Sequence, residues 1–196
     1  MLNANLRSEL IDGIKGGNVV PYLGPGVLDG GVDKTDHTAI PADSDSLILA
    51  MNNGKPMAPK LMLEFPRAAM NLELKKGRKF IERFLTATYG EHQWSDSGFH
   101  QWLADLNPRY VIDINRDTQM QQWYAERAHT LVVGRARLIG THYRFSLYHY
   151  HNRHYRPVTS EAVDFSLPIL FKPMGTPWPE PHFIASDADY VDYITE

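Results

Sequence analysis

Three apolar runs of this 196-residue chain pass directly into turns rich in chemically useful residues, and helical patterns fill the intervals between them. The runs are VVPYL before Gly24-Pro25-Gly26, YVIDI before Asn115, and LPILF before Lys172-Pro173-Met174-Gly175. Short apolar runs bounded by turn residues suit strands buried in a parallel sheet, and their alternation with helices predicts an α/β fold. The expected strands are Asn18 to Leu23, Arg109 to Ile114 and Leu167 to Phe171, with a short one at Phe183 to Ala185. Leu6, Leu10, Ile11 and Ile14 recur at helical spacing before Gly16-Gly17, which predicts an amphipathic helix over 3–15. Further helices are expected at 45–52, 60–75 with a break near Pro66, 78–88, 99–106 and 118–128, with 29–46 as loop. Asp117 stands where the N-cap of the 118–128 helix belongs. Ser186 to Asp189 caps a last helix, and the chain stops just as that helix begins.

With 43% hydrophobic and 22% charged residues, the chain has the profile of one globular domain over 1–196. A chain of this size removes roughly 70% of its unfolded surface from water and folds without a disulfide or metal. It contains no cysteine, which excludes a disulfide scaffold, a thiol nucleophile and Cys-ligated zinc or iron–sulfur sites. No apolar run approaches the ~18 residues of a membrane helix, so no membrane partner is expected. The opening MLNANLRSELIDG is amphipathic and unlike a secretory signal, so the expected location is cytoplasmic.

The net charge of −3 conceals an uneven distribution. Residues 127–160 hold six Arg and five of the nine His with no Asp or Glu, whereas Asp29, Asp33, Asp36, Asp43 and Asp45 crowd one early stretch. A basic segment on an acidic chain points to a local anion site and away from general nucleic-acid binding. Over 130–158, β-branched and aromatic residues alternate in the manner of short strands or hairpins inserted between sheet elements. Within LYHYHNRHYRP, flanked by His142, a strand places His149 and His151 on one side, and with His154 they are the candidate metal ligands. The same alternation describes an amphipathic hairpin with an aromatic packed face and a basic solvated one. Its Arg144, Arg153 and Arg156 could meet phosphate, an acidic protein partner or a second copy. No Ser-His-Asp spacing, Walker loop or His-Glu-x-x-His pattern is present.

VVPYLGPGV (19–27), YVIDINRDTQMQQWY (110–124) and ILFKPMGTPWPEPHFIASDADYVDYI (169–194) fall in the order of one family. They resemble the phosphate-loop, Asn-x-Asp and Lys-Leu-His-Gly segments of sirtuin-type (SIR2-like) NAD-binding domains. The lack of cysteine is similar to the zinc-less bacterial branch, whose members often consume NAD. The resemblance implies a Rossmann-like, doubly wound, mostly parallel sheet with a β-hairpin insertion at about 130–158, which binds NAD or ADP-ribose and needs no metal. A closing C-terminal helix would be absent or supplied by another subunit.

Carried over by position, the resemblance sets Gly24, Pro25, Gly26 and Val27 against the pyrophosphate. Asn115 would lie beside the nicotinamide ribose and position a water, with Asp117 near the carboxamide, Lys172 as a cation for phosphate, and Met174 and Gly175 along the other wall. Each residue also has a purely structural reading: a tight turn at the glycines, a turn Asn, an N-cap Asp and a structural cation at Lys172. The pattern is degenerate, because Leu28, Ile114 and Met174 stand where the family has Ser, Thr or Gln, and His. Met174 cannot accept a proton, and general-base help is worth about 10² to 10⁴ in rate. The expected activity is therefore nucleotide binding with weak or lost NAD glycohydrolase (NADase) turnover. The alternatives are a pseudoenzyme that acts in protein assembly or regulation through its basic aromatic hairpin, and a His-cluster metal-binding protein.

Overall fold

In the computed structural model, which describes residues 3–95, 98–137 and 144–195, the three apolar runs lie side by side. β1 (Tyr22–Leu23), β2 (Tyr110–Asp113), β3 (His129–Gly134), β4 (Phe145–His151), β5 (His154–Pro157) and β6 (Ile169–Lys172) form a six-stranded sheet in the order β1-β2-β6-β3-β4-β5. The pairs from β1 to β3 are parallel, and those from β3 to β5 are antiparallel. A second, two-stranded antiparallel sheet joins β7 (Gly175–Thr176) to β8 (His182–Phe183). The fold is mixed α/β with a mostly parallel main sheet.

Two expectations for the strands change. β1 is shorter than predicted because Pro21 has no N–H to give a ladder, although its carbonyl still accepts from the Ile112 amide at 2.9 Å. The segment expected as an insertion divides in two. Residues 129–134 form β3, a member of the parallel set beside β6, and only 145–157 form the hairpin, which extends the sheet at its edge. Residues 138–143, with the flanking His142, lie outside the described residues.

Helices α1 (Ala4–Gly16), α2 (Ser44–Met51), α4 (Phe65–Lys76), α5 (Arg78–Thr86) and α6 (Phe99–Asp105) fall close to their predicted places. Pro66 opens α4, where its missing N–H costs nothing, and this separates α4 from the short α3 (Pro59–Met62). α7 spans only Gln119–Trp123. The carbonyls a longer helix would use are taken by tertiary partners: Tyr150 donates to Ala125 O at 3.1 Å, and His129 Nδ1 bonds Arg127 O at 3.0 Å. The last helix is not cut off at its start. α8 (Asp187–Ile194) has a Ser186/Asp189 capping box and packs on α4.

Leu23, Val111, Leu131, Val133 and Leu170 project from one face of the sheet and bury against Ile14, Leu103, Ala104 and Met120 of the helices. The other face, with Tyr22, Ile112, Val132 and Phe171, is half-buried to exposed. A second apolar cluster gathers α2, α4 and α5 around Phe183 and Ala185, and Val27 packs against both clusters. No helix among the described residues is long and apolar enough to cross a membrane.

The hairpin has the two faces its alternation predicts. Tyr148, Tyr150 and Tyr155 share the packed side, and His149, His151 and Arg156 share the open side. Its turn residues Asn152 and Arg153 both have positive φ, 51° and 64°, as a type I′ turn requires. An arginine is strained in this region by roughly 1 kcal/mol. Arg153→Gly is expected to raise the unfolding free energy by about that amount, read as a higher urea midpoint. An unchanged or lower midpoint would contradict the turn assignment.

Candidate functional site

Parallel strands point their carboxyl ends the same way, and in open α/β sheets ligands bind in the crevice beyond those ends. β1, β2 and β6 are adjacent, and the residues just past their ends, Pro25, Asn115 and Met174, line one cavity of about 310 Å³. That is near the lower limit for a small-molecule site. Phe65, Tyr89 and Leu47 supply apolar wall, and Asp43 and Ser44 bring the start of α2 to the rim.

Asn115 is the best-positioned of the predicted residues. It is buried, and its Nδ2 donates to Gly24 O at 3.1 Å and to Asp113 Oδ1 at 2.9 Å. Both neighbours only accept, which fixes the amide orientation and leaves Oδ1 without a protein donor among the described residues. Asp113 Oδ1 also accepts from the Asn115 amide at 3.0 Å. Behind it, Lys172 Nζ donates to Asp113 Oδ2 at 2.7 Å, with both side chains fully buried. Burial pushes the Asp113 carboxyl above the usual aspartate range, and the Lys172 ammonium pulls it back. Lys172 thus acts on the site through Asp113 and does not line the cavity.

The other predicted positions separate. Gly24 has φ −94°, and a Cβ built there would meet no protein atom within 4 Å. Among the described residues nothing demands glycine at this position, and the turn faces open space. Gly26 and Val27 continue the turn as a short 3₁₀ helix away from the cavity lining. Gly175 has φ 89°, and a Cβ there would lie 1.9 Å from His182 O, so its glycine is required by the β7–β8 pairing. Asp117 is fully buried, and its Oδ1 accepts from the Gln119 amide at 2.8 Å, while Thr118 holds the N-cap position.

The sequence reading missed Arg116 and Tyr190, which line the same cavity. Arg116 lies between the two motif residues, and its NH2 group donates to Ile184 O at 2.7 Å and toward Tyr190 Oη at 3.4 Å. Its guanidinium covers the Phe65 ring at 5.1 Å. Its Nε is buried without an acceptor, and its partners among the described residues are a carbonyl and a phenol, not a carboxylate. Tyr190 Oη lies 3.1 Å from Met174 Sδ, a weak acceptor. Met174 is therefore a wall of the cavity that one hydroxyl touches.

Several arginines of the basic segment are held by partners elsewhere in the fold. Arg137 pairs with Glu73 at 2.6 Å and Asp189 at 2.8 Å, and Arg144 pairs with Asp192 at 2.9 Å. Arg127 bonds Ala104 O at 2.8 Å, and Arg135 bonds Ser146 Oγ at 3.0 Å. Arg144 is accordingly committed to holding α8. His149 and His151 stack at 6.2 Å on the open face, as expected for one side of a strand, and His154 Nδ1 bonds Arg153 O at 2.7 Å. Among the described residues no three His, Asp or Glu side chains gather closely enough to hold a metal. No protein-family model matches this chain, and no curated protein matches it with significant similarity.

Proposed function

We propose that this chain is a sirtuin-type domain with a Rossmann-like sheet that binds NAD or ADP-ribose in the cavity at the carboxyl ends of β1, β2 and β6. The observation that carries this reading is convergence. Three motifs far apart in sequence bring Pro25, Asn115 and Met174 to one cavity, beside a glycine turn that faces open space among the described residues. The pyrophosphate would lie over the Gly24 turn. Asn115 Oδ1 would accept from a ribose hydroxyl.

Turnover is weak. In glycohydrolysis the C1′–N bond breaks with its electron pair going to the ring, so cationic nicotinamide leaves neutral. Water adds to C1′ and gives its proton to solvent. Asn115 can orient that water, but Met174 gives no base to assist it, a loss of about 10² to 10⁴ in rate. Calorimetry with NAD and ADP-ribose tests the binding, and nicotinamide release from NAD tests the chemistry. Binding heat is expected from the wild type, together with slow release that Asn115→Ala lowers at least tenfold. No heat from either nucleotide would overturn the reading. Equal release from both proteins would remove the enzyme and leave the binding protein.

A further inference from the structure

Among the described residues no carboxylate pairs with the Arg116 guanidinium on the wall of this small cavity. Arg116 has a carbonyl, a phenol and an aromatic face as neighbours, and its Nε has no acceptor. The nearby carboxylates keep their charge but do not pair with this guanidinium. Asp43, on the cavity rim, caps α2 by accepting from the Ser46 amide at 2.8 Å, and Asp117 is buried outside the cavity lining with one oxygen on the Gln119 amide. Asp113 is held by Lys172 beneath Asn115. Tyr190 offers a hydroxyl whose present partner, the Met174 thioether, binds it weakly, so an oxygen of a ligand would take that proton readily. A group placed beside Asn115 thus meets a cation and a hydroxyl donor.

NAD carries a pyridinium ring at its reactive end, whereas ADP-ribose ends in an uncharged sugar. Charges held a few ångströms apart with little water between them repel far more than they would in bulk solvent. We infer that Arg116, with Tyr190, makes this cavity select adenine nucleotides that lack a cationic ring, so that its preferred ligand is ADP-ribose and oxidised NAD is disfavoured. The same charge opposes the oxocarbenium-like centre that bond cleavage would create, which is a second cause of weak turnover alongside Met174. This inference rests on the nucleotide-binding reading above.

NADH isolates the charge, because its dihydronicotinamide ring has nearly the shape of the oxidised ring and no positive charge. Calorimetry on the wild type is expected to show NADH and ADP-ribose each binding at least tenfold tighter than NAD. In Arg116→Gln the difference between NADH and NAD should fall below threefold, and Arg116→Lys should keep most of it. The wild-type comparison needs no variant, so it stands even if Arg116→Gln loses its fold with the Ile184 contact. Equal wild-type affinities for NAD and NADH would overturn the selection and leave nucleotide binding in place. A difference that persists in folded Arg116→Gln would also overturn it. No heat from any of the three nucleotides would remove both readings.

Discussion

Lys172→Met is expected to lower the unfolding free energy by about 3 to 5 kcal/mol, the usual result of removing one partner from a buried ion pair. Lys172 and Asp113 are both fully buried and 2.7 Å apart, so the variant strands a carboxylate in the sheet with no water to solvate it. Asp113 can escape that penalty only by taking a proton. Once neutral, it becomes a poorer acceptor for the two Asn115 groups it now holds, at 3.0 and 2.9 Å. The loss therefore reaches the cavity as well as the core. The double variant Asp113→Asn/Lys172→Met is expected to recover more than half of the lost stability, because it removes the stranded charge as well as its partner. Urea unfolding of the wild type, the single variant and the double variant measures all three quantities. A single variant within 1 kcal/mol of the wild type, or a double variant no better than the single, would contradict this account of the pair.

The residues that are legible in the sequence are those whose chemistry coincides with a break in pattern. Asn115 follows an apolar strand and precedes a capping residue, so its place beyond the end of β2 follows from spacing alone. Lys172 and Asp117 stand out as polar residues in apolar surroundings, but the direction they face does not. A strand alternates its faces, and Lys172 falls on the same side as Leu170, which is the buried side. Parity with Leu170 is thus the sequence signal that assigns this lysine to the core. Arg116 is hard to single out because it is the variable residue of an Asn-x-Asp pattern, and Tyr190 because it lies on a helix expected to end as it began. The length of β1 is set by Pro21, a signal present in the sequence. The division of 129–157 into a core parallel strand and an edge hairpin depends on pairing with β6, a partner more than thirty residues downstream, and local alternation carries no information about that.

Acidification is expected to remove about 3 kcal/mol of stability between pH 6.5 and pH 4 through one residue, His129. This imidazole opens β3 with no exposed surface, enclosed by the rings of Tyr150 at 4.8 Å, Tyr124 at 5.3 Å and Tyr155 at 5.5 Å. The Arg127 carbonyl can only accept, so the proton of the neutral ring is on Nδ1, and Nε2 accepts from Tyr155 Oη at 2.8 Å. Burial pushes its pKa down from 6.5 to about 4, and the nearby charges of His149 and Arg127 act in the same direction. The aromatic faces would favour a cation by roughly 1 to 2 kcal/mol, which is less than the cost of removing an imidazolium from water. Above pH 6.5 neither the folded nor the unfolded chain protonates this site, and the full stability is present. As the pH falls below 6.5 the unfolded chain binds a proton that the folded chain refuses until about pH 4, so the folded state loses ground throughout that window. Urea midpoints of the wild type at pH 7.5, 5.5 and 4 should fall accordingly, by roughly 1 to 2 M in all. His129→Gln keeps an acceptor for Tyr155 and cannot titrate. It should be less stable than the wild type at pH 7.5 but lose about 3 kcal/mol less on acidification, whereas an equal loss in both proteins would assign the acid sensitivity elsewhere. Asp33 serves as the internal contrast, because the Thr35 amide and the His92 ring hold its carboxyl at about 2. Its contribution is complete above the ordinary aspartate range and disappears only below pH 4, after the His129 loss has run its course.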